Sequence, residues 1–238
     1  MNGENMVSLI QIPVGGKTFD GWLYTFSEKS LPGIVMIPEI FGVNQGLREM
    51  AERYAREGFA VLAVDIFWRM QRHVNLGYTK EDFAQAKSFH ERFDYETGVA
   101  DMQAAISTLR ARPECSGKVG VVGFCLGGTM GYLAGSRTDA DAAVGYYGTR
   151  IDSFLDDGAR ISRPTMLHLG RLDHRTPPPV MEKIISAVKN NQHAIVYPYD
   201  DAVHAFANHH RPETYNAQIT KTADERTFSL FRSKLQQA

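Results

Sequence analysis

Short apolar runs rich in Val, Ile and Leu recur along the chain with little polar alternation. Runs of this kind are typical of strands that are covered on both faces, as in a parallel sheet flanked by helices. The predicted strands are 33–38, 59–65, 118–123, 142–147, 165–170 and 194–199. The pattern therefore predicts a buried, mostly parallel sheet.

Helix-length segments lie between these runs, which makes the alternation strand, helix, strand. The predicted helices are 45–57, 79–92, 97–110, 126–135, 180–189 and 222–235. Asn44 and Thr79 are expected to cap two of them, Thr79 in a capping box with Asp82, and Thr176 precedes a proline run that can open another. At the amino end, segments 8–14 and 18–26 are joined across Gly15-Gly16 and predict an antiparallel hairpin on the sheet edge. The fold class is α/β, a doubly wound sheet with an antiparallel start.

Composition and net charge indicate the number of domains and the kinds of partner to expect. A length of 238 residues with 43% hydrophobic residues predicts a single domain, 1–238, with no repeat or linker to divide it. The 26 basic and 27 acidic side chains give a net charge of −1, so we expect neither nucleic acid nor membrane as a partner. The first sixteen residues have no signal-peptide pattern, and the expected location is the cytoplasm.

The strongest chemical signal is Gly123-Phe124-Cys125-Leu126-Gly127-Gly128, between a predicted strand and a predicted helix. This is the pattern of a nucleophile elbow with cysteine in the serine position, where small residues let strand and helix pass. The helix N-terminus favours a thiolate at Cys125, and the Leu126 N–H can meet a developing oxyanion. The alternative interpretation of Cys125 is a small buried hydrophobe.

Two further residues follow the elbow in the order that an α/β-hydrolase uses. Asp173 comes after strand 165–170 and His204 after strand 194–199, so the chain runs nucleophile, acid, histidine. Asp173 can orient the imidazole, and His204 can take the thiol proton and later activate water. Alone, Asp173 would be a turn residue and His204 a loop histidine. The sequence predicts a Cys125, His204, Asp173 triad.

Glu39 follows strand 33–38, where this fold supplies its second oxyanion N–H, here that of Ile40. A carboxylate there would face the nucleophile, and the alternative is a solvated loop residue. His174, His209 and His210 are interpreted as loop histidines, and His168 as a hydrogen-bonded core residue. Cys115, in a polar turn, is expected to be a surface thiol.

We expect no metal and no cofactor. The eight histidines include no HExxH pair and no Cys/His cluster at ligand spacing. The glycine-rich stretch at Cys125 also lacks the Lys-Ser/Thr of a phosphate loop.

Taken together, these motifs resemble the dienelactone hydrolases, also called carboxymethylenebutenolidases. The resemblance runs almost end to end and includes PEIFGVN, FD..TGV.D, GKVGVVGFCLGG, AVGYYG, GRLDH and AVHAF. It implies an α/β-hydrolase fold, the triad above, oxyanion donors at Ile40 and Leu126, and Glu39 as a resting partner of the thiol.

The chain also departs from the family. Members that hydrolyse dienelactone hold its carboxylate with two arginines, and Phe83 and Asn208 stand at the matching positions here. The family's aromatic pair near the substrate matches Lys87 and His90. Substitutes considered for substrate binding are Trp68, Arg69, Arg72, Tyr147 and Asn208. The arginines could equally be solvated and Trp68 could simply pack in the core.

The expected function is hydrolysis of a small ester or lactone through an acyl-enzyme, by a monomer or weak homodimer. The first alternative is thioesterase or other acyl-hydrolase chemistry on the same triad. The second is a catalytically idle fold used as a binding module.

Overall fold

The computed structural model describes residues 6–236 and contains one eight-stranded sheet, in the order β1-β2-β4-β3-β5-β6-β7-β8. The strands are β1 Met6–Val14, β2 Lys17–Thr25, β3 Leu31–Ile37, β4 Ala60–Val64, β5 Cys115–Phe124, β6 Ala142–Tyr146, β7 Thr165–Gly170 and β8 Ala194–Tyr199. The pairings β1–β2 and β2–β4 are antiparallel, and all others are parallel. The predicted edge hairpin and mostly parallel sheet are confirmed. The prediction of no signal peptide rests partly on residues 1–5, which lie outside the described residues.

The seven α-helices among the described residues mostly fill the predicted connections. They are α1 Gln45–Arg56, α2 Lys80–Arg92, α3 Tyr95–Arg110, α4 Leu126–Arg137, α5 Asp157–Arg160, α6 Pro178–Val188 and α7 Ala217–Leu235. In residues 6–236 no helix is both long and apolar enough to cross a bilayer.

Helices cover both faces of the sheet, as the unbroken apolar strands predicted. Gly33 of β3 lies against Leu109 of α3, and Gly120 of β5, paired with Ile34, lies against Phe231 of α7. Because consecutive strand residues point to opposite faces, α3 and α7 lie on opposite sides of the sheet. This double cover buries the strands and leaves their carboxyl ends free to carry a site.

Capping residues account for the helix starts that agree with the prediction and for those that differ from it. The side chain of Asn44 accepts from Leu47 N–H, and Thr79 and Asp82 form the expected capping box. Helix α7 begins five residues earlier than predicted because Asn216 caps it by accepting from Ile219 N–H. Thr176 does not cap α6; its hydroxyl donates instead to the Gly148 carbonyl at 3.1 Å.

The expectation that Cys115 is a surface thiol is wrong. Cys115 is the first residue of β5, pairs with Leu31 of β3, and is 8% exposed. The strand begins three residues before the apolar run that predicted it. The Cys115 thiol therefore packs against Gly33 of the neighbouring strand. Burial raises the pKa of the Cys115 thiol.

Candidate active site

The turn between β5 and α4 holds Cys125 in a strained backbone, with φ 56° and ψ −113°. A side chain at Gly123 would place its Cβ 1.8 Å from the Gly127 carbonyl oxygen, and one at Gly127 would come within 2.4 Å of the Ile37 carbonyl oxygen. Only glycine fits at either position, as the elbow pattern predicted. A non-glycine residue at such a φ costs about 1–3 kcal/mol, which the surrounding fold must offset.

Histidine and aspartate meet the thiol at this turn. His204 Nε2 lies 3.2 Å from Cys125 Sγ, and His204 Nδ1 donates to Asp173 Oδ2 at 2.7 Å. Asp173 is 1% exposed, and its Oδ1 accepts from the Arg175 N–H at 2.7 Å. The three predicted side chains therefore form one continuous hydrogen-bonded line, with the Asp173 carboxylate fixing the imidazole orientation.

The neighbouring charges and hydrogen bonds shift the pKa of the His204 imidazole. Burial alone would lower the pKa of His204, but the negative charge of Cys125 and the hydrogen bond to Asp173 raise it above its usual range. The raised pKa favours the protonated, imidazolium form of His204.

Glu39 lies just beyond the carboxyl end of β3 and is buried, with Oε2 accepting from Asn208 Nδ2 at 3.0 Å. Its other oxygen and the Tyr147 hydroxyl are both buried with no hydrogen-bond partner among residues 6–236. Burial, followed by the negative charges of Glu39 and Cys125, raises the pKa of Tyr147 well above its usual value. The thiol contacts His204 rather than Glu39, so the resting contact implied by the resemblance is not the one observed.

Two backbone N–H groups are available for an oxyanion. Within residues 6–236 neither the Ile40 N–H nor the Leu126 N–H donates to a backbone acceptor. Ile40 lines the pocket that also holds Cys125, and Leu126 opens α4 directly after it. Their role as oxyanion donors stays a prediction of the sequence.

A pocket that reaches the thiol is lined by apolar side chains together with two arginines. Its lining residues are Glu39, Ile40, Phe41, Phe83, His90, Cys125, Thr149, His174, Arg175, Val203, His204, Arg211 and Thr214. Tyr147 lies behind this surface, with its ring 5.3 Å from that of His204. Asn208 holds Glu39 and Tyr78 instead of lining the pocket. Within residues 6–236 no group of three potential metal ligands lies here.

Sequence reasoning missed the pocket's two arginines. Arg175 follows Asp173 by two residues, and Arg211 follows His204 by seven, with its guanidinium 5.2 Å from the Phe83 ring. The signal was present, because both lie in the loops that carry the triad. His174, interpreted as a plain loop histidine, also lines the pocket.

His90, matched earlier to the family's aromatic pair, also lines the pocket. Its pKa is lowered to about 4 by burial and then by the charges of Arg150 and Arg175. His90 is therefore uncharged at neutral pH, and the two arginine charges act on it in the same direction as burial.

The loop after β4 does not supply the substitutes considered for substrate binding. Trp68 Nε1 and the Arg69 guanidinium both donate to the Asp101 carboxylate, at 2.6–2.9 Å. Arg72 pairs with Asp20 at 3.3 Å. None of the three lines the pocket, because buried carboxylates of α3 and β2 hold them elsewhere.

Comparison with known proteins identifies the family that the sequence motifs resemble. The family model described as "Dienelactone hydrolase family" matches residues 19–235. Carboxymethylenebutenolidase of Pseudomonas putida is 34% identical over 212 residues, which cover 89% of each chain. Carboxymethylenebutenolidase 1 of Cupriavidus pinatubonensis is 31% identical over 216 residues, covering 90% of this chain and 92% of that protein. The crystal structure of dienelactone hydrolase from Anabaena variabilis shares the fold with a TM-score of 0.70 at 20% identity, covering 98% of this chain and 100% of that one.

Proposed function

The chain belongs to the dienelactone hydrolase family and is thus an ester or lactone hydrolase, and on that premise we propose that Cys125, His204 and Asp173 form its catalytic triad. The observation that carries the proposal is the unbroken line from Asp173 Oδ2 through His204 to Cys125 Sγ, at 2.7 and 3.2 Å, beside the pocket. No other thiol in residues 6–236 has such a partner, since Cys115 contacts only a backbone carbonyl.

In the proposed mechanism the Cys125 thiolate attacks the substrate carbonyl carbon. The carbonyl oxygen takes the negative charge and is stabilised by the N–H groups of Ile40 and Leu126. As the C–O bond breaks, His204 gives its proton to the leaving oxygen and a thioester to Cys125 remains. His204 then takes a proton from water, which attacks the thioester, and collapse releases the acid and returns the Cys125 thiolate beside the protonated His204.

We further propose that Glu39 controls how readily Cys125 ionises. Glu39 is buried, one of its oxygens is free of partners, and its charge and that of Cys125 act on the same Tyr147 phenol. A second anion lining the same pocket disfavours the thiolate, whereas His204 and the helix N-terminus favour it. The balance between these groups would set the resting state of the thiol.

The pocket offers a different contact for a charged substrate. The positions that match the family's arginines hold Phe83 and Asn208, neither of which can form an ion pair with a carboxylate. Arg175 and Arg211 instead reach the pocket from the triad loops, and Phe83 forms the apolar wall beneath Arg211. We therefore propose that this pair binds an anionic group of the substrate from a different side.

The two free cysteines provide a matched test of the nucleophile. Incubation with a p-nitrophenyl ester and rapid acid quench should give one acyl adduct, located by mass spectrometry on the peptide that holds Cys125. Cys125→Ala should lose the adduct and the turnover, while Cys115→Ala should keep both. Turnover by Cys125→Ala within tenfold of wild type would overturn the triad.

The alternatives are separated by substrate comparison. Initial rates on aryl esters, lactones and acyl thioesters, measured with the same protein, distinguish an ester or lactone hydrolase from a thioesterase. A protein that binds these compounds but turns over none of them would instead be a binding module.

A further inference from the structure

Three potential metal ligands meet on the surface away from the thiol. Glu49 lies on α1, and His209 and His210 lie in the loop between β8 and α7. His209 Nε2 and His210 Nε2 each lie 2.8 Å from the same oxygen, Glu49 Oε2. The three ligand atoms all lie within 4.8 Å of one another.

We propose that Glu49, His209 and His210 bind a first-row divalent transition-metal ion of the zinc type. Two imidazole nitrogens and one carboxylate form a donor set that such ions accept, with further positions left for water. Ligand atoms around a tetrahedral zinc lie about 3.3 Å apart, so the observed contacts need to open by only about 0.5 Å. As donors to the Glu49 carboxylate, the two Nε2 atoms would each have to give up a proton to bind the ion.

Hydrogen bonds from neighbouring residues hold the candidate ligands in position. Glu49 Oε1 accepts from Gln45 Nε2 at 2.8 Å, one turn earlier on α1, which fixes the plane of the carboxylate. The backbone N–H of His210 donates to Asn208 Oδ1 at 3.1 Å, and the Asn208 amide is itself anchored on Glu39 and Tyr78. Such outer-shell hydrogen bonds hold ligands in position for metal binding.

Access to solvent suits an open site. The Glu49 and His209 side chains are 40% and 46% exposed and His210 is 26% exposed. An ion can therefore enter from solvent and keep water ligands. No local sequence pattern marks this site, because Glu49 lies 160 residues before His209.

The ion would tie α1 to the loop that carries both His204 and Asn208. That loop has no strand or helix of its own from residue 200 to residue 216. A ligand that binds only the native arrangement stabilises it by mass action. Metal binding should therefore raise the melting temperature of the whole protein.

The test uses the full chain carrying Cys125→Ser, because the thiolate and imidazole of the active site could also take zinc. Calorimetric titration with zinc chloride should give one equivalent bound with a Kd of about 10 µM or tighter. His209→Gln, His210→Gln and Glu49→Gln should each weaken binding by at least about tenfold. His193→Gln, an exposed histidine outside the cluster, is the matched control and should bind as the parent does.

Melting temperature gives a second measurement that does not depend on catalysis. Zinc should raise it in the Cys125→Ser and His193→Gln proteins and leave it unchanged in the three ligand variants, whose folding is checked by circular dichroism. The proposal is overturned if no zinc binds at micromolar concentration, or if the ligand variants bind as tightly as the control. Because the active-site thiol is absent throughout, either failure leaves the proposed hydrolysis untouched.

Discussion

At the scale of single residues, Glu39 makes the most informative substitution. Glu39→Gln removes the charge, and the new amide oxygen can still accept from Asn208 Nδ2, which now donates to Oε2. Loss of the nearby anion should favour the thiolate, so alkylation of Cys125 by iodoacetamide at neutral pH should accelerate several-fold. Ester turnover should fall if Glu39 accepts a proton in the bound state.

The measurement follows alkylation by intact mass in parallel with turnover. Glu28→Gln changes an exposed carboxylate outside the pocket and serves as the control. Fast alkylation of wild type together with unchanged turnover in Glu39→Gln would mean that Glu39 is only a buried loop carboxylate.

Arg175 and Arg211 test the proposed preference for an anionic substrate, again at the scale of single residues. A hydrogen-bonded arginine–carboxylate contact is worth about 1.5–3 kcal/mol, so Arg175→Leu or Arg211→Leu should each lower kcat/KM for a carboxylate-bearing lactone by about ten- to a hundredfold. The neutral methyl ester of the same compound should lose much less. Arg171→Leu is the control, since Arg171 pairs with Asp200 and does not line the pocket. Equal losses on both substrates would show that the arginines only shape the pocket.

At the scale of elements, the elbow depends on the absence of a side chain at Gly127. Gly127→Ala should push the new methyl against the Ile37 carbonyl, which belongs to backbone and cannot turn away. Overpacking of this kind costs about 1–3 kcal/mol or more in the free energy of unfolding. Gly15→Ala, in open space at φ +55°, meets only the conformational cost of about 1 kcal/mol.

Urea unfolding of the two alanine variants measures the difference. Gly127→Ala should also lose more activity, because any shift of α4 moves Cys125. Equal stability of Gly127→Ala and Gly15→Ala would contradict the steric account of the elbow.

Local chemistry explains how much could be predicted from the sequence. Strands β3 to β8 and most helices follow from apolar runs and caps, and Cys125, Asp173 and His204 follow from their places after predicted strands. The two short helical segments after β6, Ile151–Phe154 and Asp157–Arg160, were missed because one turn of helix shows no periodicity. Arg175 and Arg211 were missed although they lie in the loops that carry Asp173 and His204, and Glu49 was missed because the chain path alone brings it to His209 and His210.

At the scale of the whole molecule, His168 should make stability depend on pH. It is fully buried in β7 and hydrogen-bonded to Tyr199 and Thr227, and burial lowers its pKa to about 3. In the unfolded chain the pKa is about 6.5, so between about pH 6.5 and 3 the unfolded state binds more protons. Stability contributed by neutral His168 is therefore complete above about pH 6.5 and is lost as the pH falls.

The prediction concerns the slope of stability against pH. His168→Gln should be less stable at every pH, but between pH 6 and pH 4.5 its free energy of unfolding should fall less steeply than that of wild type, by up to about 1.4 kcal/mol per pH unit. Urea unfolding across this range gives the slopes, with exposed His193→Gln as the control. Identical slopes in wild type and His168→Gln would show that the buried imidazole does not titrate differently on unfolding.

Strand β5 keeps the two thiols of the described chain apart. Cys115 begins the strand and Cys125 follows its last residue; Cys115 lies opposite Leu31 and Gly123 opposite Ile37, six residues of extended chain or about 20 Å further along. A disulfide needs Cα atoms within about 7 Å, so the folded protein cannot join them. If peroxide converts Cys125 to a sulfenic acid, this chain offers no resolving cysteine, and recovery depends on a thiol from solution such as glutathione. Without such an external thiol, further oxidation of Cys125 to the sulfinic acid would inactivate the enzyme irreversibly.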